Sequence, residues 1–154
     1  MFKPLRNVIL PALALSVALS GADPFVGTWK LNLAKTKYKH GQPPKSQVVT
    51  LVESGANLEV TSEVTSAEGK TYVTKYTVPS KGGDGKIIES PIFDGVKSKR
   101  RGEREREVEY LKGGKPVTTI HIVASADGKV LTGHVKGTSL TGQPVEGVTV
   151  MDKQ

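Results

Sequence analysis

Two parts of this sequence gather side chains that could bind charge or exchange protons. Arg100 to Glu109 reads Arg-Arg-Gly-Glu-Arg-Glu-Arg-Glu-Val-Glu. On a strand, successive side chains point to opposite faces, which sets Glu103, Glu105, Glu107 and Glu109 against Arg104, Arg106, Val108 and Tyr110. With the arginine face turned inward, the run makes a basic interior suited to a carboxylate or phosphate, whose oxygens match the guanidinium fork. With both faces wet, it is a solvated outer strand laced with ion pairs, or a short charged helical turn. That is the ordinary fate of arginine, which is seldom buried unpaired.

The second part is His121 and His134, whose relation depends on one turn. A two-residue turn at Asp127-Gly128 sets the histidines directly opposite each other, with Arg106 beside His121 through a Gly113-Gly114 hairpin. A three-residue loop at 126–128 with a glycine bulge sends them to opposite faces and pairs Val123 with Leu131, the better apolar match. Two histidines without a third ligand make a poor metal site, so no metal and no cofactor is expected. Tyr72 and Tyr76 share one strand face, where they serve as half-buried core or as the wall of a cavity. Catalytic signatures are missing: there is no Gly-x-Ser-x-Gly elbow and no His-Glu-x-x-His. Gly69-Lys70-Thr71 lacks the earlier glycine of a phosphate loop, because position 64 is Val64.

The elements that must position these groups are strands. From residue 24 onward, apolar and polar residues alternate in short segments broken by turn residues, with no helical stripe. Phe25, Gly27, Trp29, Leu31 and Leu33 share one side of the first strand. Further strands are expected near 47–53, 57–65, 70–78, 86–90, 95–101, 104–112, 116–125, 129–136 and 145–152. A two-residue turn at Ser54-Gly55 would oppose Leu51 to Leu58 and Val49 to Val60; one at Gly113-Gly114 would oppose Tyr110 to Val117. Such short links favour an antiparallel up-and-down meander, and about ten strands of this kind close into a barrel and hide their edges. Residues 34–45, with Pro43-Pro44 and several lysines, read as an extended solvated loop. Residues 81–86 read as a glycine-rich turn.

The ends and the composition set the compartment. Lys3 and Arg6 precede an apolar run from Val8 to Leu19 and the small residues Ser20-Gly21-Ala22, the layout of a cleavable signal peptide at 1–22. The run is shorter than the roughly 20 residues of a spanning helix and holds Pro11, which argues against a membrane anchor. Cleavage takes away Lys3 and Arg6 and no acid, lowering the formal charge from +7 to +5. With no cysteine anywhere, neither a lipid-modified cysteine nor a disulfide is available. A single exported domain, 23–154, is expected, periplasmic or secreted. Its basic excess suits solubility, an anionic envelope surface or an acidic small molecule better than nucleic acid.

The opening Asp23-Pro24-Phe25-Val26-Gly27-Thr28-Trp29-Lys30-Leu31-Asn32 resembles the first strand of lipocalin-like proteins, which carries a Gly-x-Trp. With Pro-Pro-Lys-Ser, Ala-Asp-Gly-Lys-Val-Leu-Thr, Lys-Gly-Thr, Gly-Gln-Pro-Val and a closing Val-Met-Asp-Lys-Gln, the chain resembles small exported bacterial lipocalin-like (calycin-type) proteins of uncharacterised function over nearly all of 23–154. The resemblance implies an all-β barrel of about 8–10 strands in which Gly27 and Trp29 form a plug at one end, covered by a basic residue, Lys153 or an arginine from 100–106. The reading favoured for such a barrel is non-catalytic binding of a small apolar or amphipathic ligand, acidic ones included. The candidate contacts are Tyr72, Tyr76, Arg104, Arg106, Tyr110 and His121. The alternative is an envelope interaction protein with a filled barrel, whose basic loops meet an anionic surface or a protein partner.

Overall fold

The computed structural model describes residues 23–154, so the expected leader at 1–22 lies outside the described residues. These residues form twelve strands and no helix: β1 Gly27–Leu31, β2 Lys37–His40, β3 Ser46–Ser54, β4 Asn57–Thr65, β5 Thr71–Pro79, β6 Gly82–Asp84, β7 Lys86–Glu89, β8 Gly95–Gly102, β9 Glu105–Lys112, β10 Lys115–Ala124, β11 Val130–Thr138 and β12 Pro144–Lys153. The long strands pair antiparallel with their successors except at β5 and β8, and β12 returns to pair with β1, so the meander closes apart from a seam between β5 and β8 where no ladder forms. The result is the nearly closed antiparallel barrel that the alternation predicts.

Two short segments exceed the expected strand count. Within 34–45, β2 prolongs the line of β1 along β12, pairing Tyr38 with Gly147. The chain takes this path because Thr36, at the bend between them, is buried and bonded on both sides: its hydroxyl donates to the Asn32 carbonyl (2.9 Å) and accepts from the Val150 N–H (3.1 Å). Within 81–86, the glycine-rich turn is instead a strand that changes neighbours. β6 pairs with β8 and β7 pairs with β5, and between them the Gly85 N–H donates to the Val96 carbonyl (2.8 Å). A side chain at Gly85 would strike the Thr77 carbonyl and the Val78 and Val96 side chains, so this crossing requires glycine. It is the seam that brings β5 and β8 together.

Several registers also differ from the sequence expectation. The β3–β4 turn is Gly55-Ala56, not Ser54-Gly55, because a hairpin turn of this kind takes a positive-φ residue first and Gly55 supplies it (φ 60). Leu51 therefore faces Val60, and the shift of two residues keeps the same side chains inside. Gly113-Gly114 does turn the β9–β10 hairpin, but a bulge between Pro116 and Thr118 slips the pairing by one, as a residue without an N–H allows. Arg106 then opposes Ile122, and His121 opposes Glu107 instead of neighbouring Arg106. Across β10–β11, His121 does face His134, and Ala124 rather than Val123 pairs with Leu131. The link there is longer than two residues: Ser125 N–H bonds the Val130 carbonyl, and the Ser125 hydroxyl accepts from the Lys129 and Val130 N–H groups. Leu33, expected on the inner side, is 49% exposed, because the first strand ends at Leu31 and turns outward.

The core sits at two levels. Phe25, Trp29, Leu31, Ala124, Leu131 and Met151 pack at one end. Leu58, Val60, Tyr76, Val78, Val96 and Val108 line the wall above.

Candidate ligand-binding site

The Gly-x-Trp pair builds the closed end. Trp29 is fully buried, its indole N–H donates to the Phe25 carbonyl (2.9 Å), and the Lys153 ammonium lies 5.5 Å from its ring centre. Gly27 is what lets Lys153 reach that position. A Cβ there would come within 2.8 Å of the Lys153 stem, and φ of 137° is open to glycine alone. The cation over the tryptophan thus comes from the last strand, while the arginines serve a second ring beside it. Arg100 and Arg106 lie 5.2 and 5.4 Å from the centre of the Phe25 ring.

Arg106 is the only charged residue among the buried ones described, at 2% exposure. Its guanidinium donates to the Ser98 hydroxyl (2.7 Å) and to the Ser80 and Pro79 carbonyls, and lies 4.0 Å from the Asp23 carboxylate, which Arg100 binds at 2.8 Å. Its Nε–H has no partner among the described residues. Burial first, and the Arg100 charge second, hold this guanidinium below its ordinary value. The charged run takes neither expected form whole: of the two arginines on the expected inner face only Arg106 is buried, and the solvated ion pairs lie on the outer face. Arg106, Val108 and Tyr110 turn inward, while Glu107 and Glu109 meet Lys99 at 3.7 and 3.6 Å outside.

Above this floor lies a cavity of about 730 Å³, opening at the far end between the 41–45, 66–70 and 139–143 loops. Its deep half is apolar: Leu51, Leu58, Val60, Val78, Ile122 and Met151 reach it from five strands. Among charged residues only Arg106, at the floor, and Glu68, at the mouth, line it. Tyr72, Tyr76, Arg106 and Tyr110 of the expected contacts stand on its wall. Arg104 and His121 do not. Arg104 is exposed in the β8–β9 turn, and His121 points outward, its Nε2 bonded to Glu105. Alternation alone places Arg104 on the Arg106 face, but the strand begins only at Glu105.

Tyr110 donates to the Tyr76 hydroxyl (3.1 Å), meets its ring edge-on and stacks on Phe93 at 4.6 Å. Burial pushes the Tyr110 hydroxyl well above the ordinary tyrosine value, with the hydrogen bond to Tyr76 adding to it. Burial also raises Tyr76, opposed by the bond from Tyr110 and the Arg106 charge. Both keep protons that the unfolded chain gives up from about pH 10. Their contribution to stability is therefore complete below that pH and falls away as pH climbs toward the folded-state values. Urea midpoints between pH 8 and 11 test this: the Tyr76→Phe/Tyr110→Phe variant should lose stability with pH less steeply than the parent, and equal slopes would refute it.

Sequence reasoning missed Phe93 and the polar wall residues Gln47, Ser62 and Thr74. Ser62 had a legible signal, since it interrupts the apolar face of Leu58, Val60 and Val64. Phe93 had none, because it enters from the 90–94 loop, where Ser90 Oγ accepts from its N–H (2.9 Å).

No family profile matches this chain, and no curated protein is similar to it at a level that shows kinship. The geometry by itself gives an all-β, nearly closed antiparallel barrel, stopped at one end by Trp29 and Arg106 and open at the other.

Proposed function

We propose that this protein binds a small apolar or amphipathic molecule inside its barrel, without bond chemistry, and that it does so as an exported protein after losing a leader at 1–22. The cavity carries this reading. Its volume of about 730 Å³ falls within the roughly 300–1,000 Å³ of small-molecule sites, and its lining is mostly apolar with few polar groups, as such sites are. A barrel filled by its own side chains, the basis of the interaction alternative, does not have such a space. Burying an apolar tail of about 200 Å² there contributes about 5 kcal/mol before the costs of association.

Native mass spectrometry of protein purified from its own host tests the reading. The expected result is a retained adduct of small-molecule mass, lost on denaturation, together with an upward melting shift on adding single-chain lipids. Bare protein and no shift across a lipid panel would transfer the case to the anionic-surface or protein-partner alternative.

A further inference from the structure

We infer that the ligand carries an uncharged hydrogen-bonding group, a hydroxyl or carbonyl, which docks on the β3–β4–β5 wall of the cavity. The inference rests on the binding reading above. Gln47, Ser62 and Thr74 stand side by side on the inner face of three neighbouring strands, for Ser62 pairs directly with Thr74 and Gln47 lies diagonally across. All three line the cavity, and Ser62 and Thr74 are 8% and 4% exposed. Gln47 Nε2 donates to the Ser62 hydroxyl (3.1 Å), which leaves the Gln47 carbonyl as an acceptor and the Ser62 hydroxyl hydrogen as a donor. The Thr74 hydroxyl forms no hydrogen bond among the described residues. On a wall that is otherwise valine, leucine and the rings of Tyr72 and Tyr76, each such group disfavours burial unless a ligand bonds it.

The patch holds amide and hydroxyls only, so it can both donate and accept and offers no counter-charge. A carboxylate placed there would lose its hydration against neutral partners, whereas a hydroxyl or ester group exchanges one set of neutral bonds for another. The cations nearby are engaged elsewhere. Arg106 is fastened to the floor by Ser98, Ser80 and Pro79 with only its Nε–H unpartnered among the described residues, and at the mouth Lys45 acts on Glu68 and Lys70 lies over the Tyr72 ring. The arrangement fits a tail-first amphiphile with its chain on the apolar deep half and a neutral head at the level of Ser62 and Thr74.

Displacement of the neutral fluorescent probe N-phenyl-1-naphthylamine tests this, with monodecanoylglycerol and decanoate as chain-matched competitors at pH 8. The glycerol ester should compete at least tenfold more tightly than the carboxylate. In the Ser62→Ala/Thr74→Val variant that advantage should fall to about threefold or less, each competitor being read against the probe's own dissociation constant in that variant. Decanoate competing equally or better, or an unchanged advantage in the variant, would overturn the neutral-head inference while leaving the cavity reading intact. Failure of the probe and of both competitors to bind would instead overturn the cavity reading and this inference with it.

Discussion

Replacing Trp29 with alanine is expected to lower stability by about 3–5 kcal/mol, the range for removing a buried aromatic side chain. For a domain of this size that is a fall of roughly 10–20 °C in melting temperature. The indole is fully buried, bonds the Phe25 carbonyl and supports Lys153, so its loss opens the closed end and leaves a buried carbonyl without its donor. Trp29→Phe separates these parts: it keeps most of the apolar area and loses the indole N–H, and should cost about 1–2 kcal/mol. Thermal and urea unfolding of both variants reads the difference. A Trp29→Ala protein that melts with the parent would mean that the plug is not what closes the barrel.

The second large effect is expected at Arg106. Arg106→Ala removes the bonds to Ser98 and to the Ser80 and Pro79 carbonyls and leaves a hole beside Phe25, for a cost of about 3–5 kcal/mol. Asp23 keeps Arg100 at 2.8 Å, so no carboxylate is stranded. Arg106→Met retains the stem and discards a buried charge whose desolvation is costly, and should recover about half of the loss or more. Equal destabilisation by the two substitutions would place the whole effect in the hydrogen bonds. No destabilisation by either would show that the guanidinium does not fasten the floor. The outer ion pairs of Lys99 with Glu107 and Glu109 are half in water and contribute little by comparison.

Much of this architecture was legible because one physical rule, alternation, does not depend on register. Leu58 and Val60 point inward whether they face Leu51 and Val49 or their neighbours two residues away, so the turn shift at Gly55 altered pairing without altering the core. Bulges are different, since one extra residue exchanges the faces of everything beyond it. Pro116 is the only hint of the slip that separates Arg106 from His121, and a proline does not state which way the chain will bulge. The strand at 37–40 was hidden for another reason. Pro43, Pro44 and the lysines describe solvent exposure correctly, but a sheet edge can be exposed and still paired, as β2 is along β12. Of the wall residues, the tyrosines and Arg106 were named from their strand faces. The neutral patch escaped because Gln47, Ser62 and Thr74 come from three strands and become a patch only when those strands are aligned.

The join between β1 and β12 also sets the timing of assembly. Asn32 bonds Asp152 across 120 positions of sequence, and the Gln154 N–H reaches the Thr28 carbonyl. Trp29 is therefore synthesised long before the lysine that covers it, and β1 cannot be joined to β12 until that last strand has been made. Contacts of such long range are slow to form.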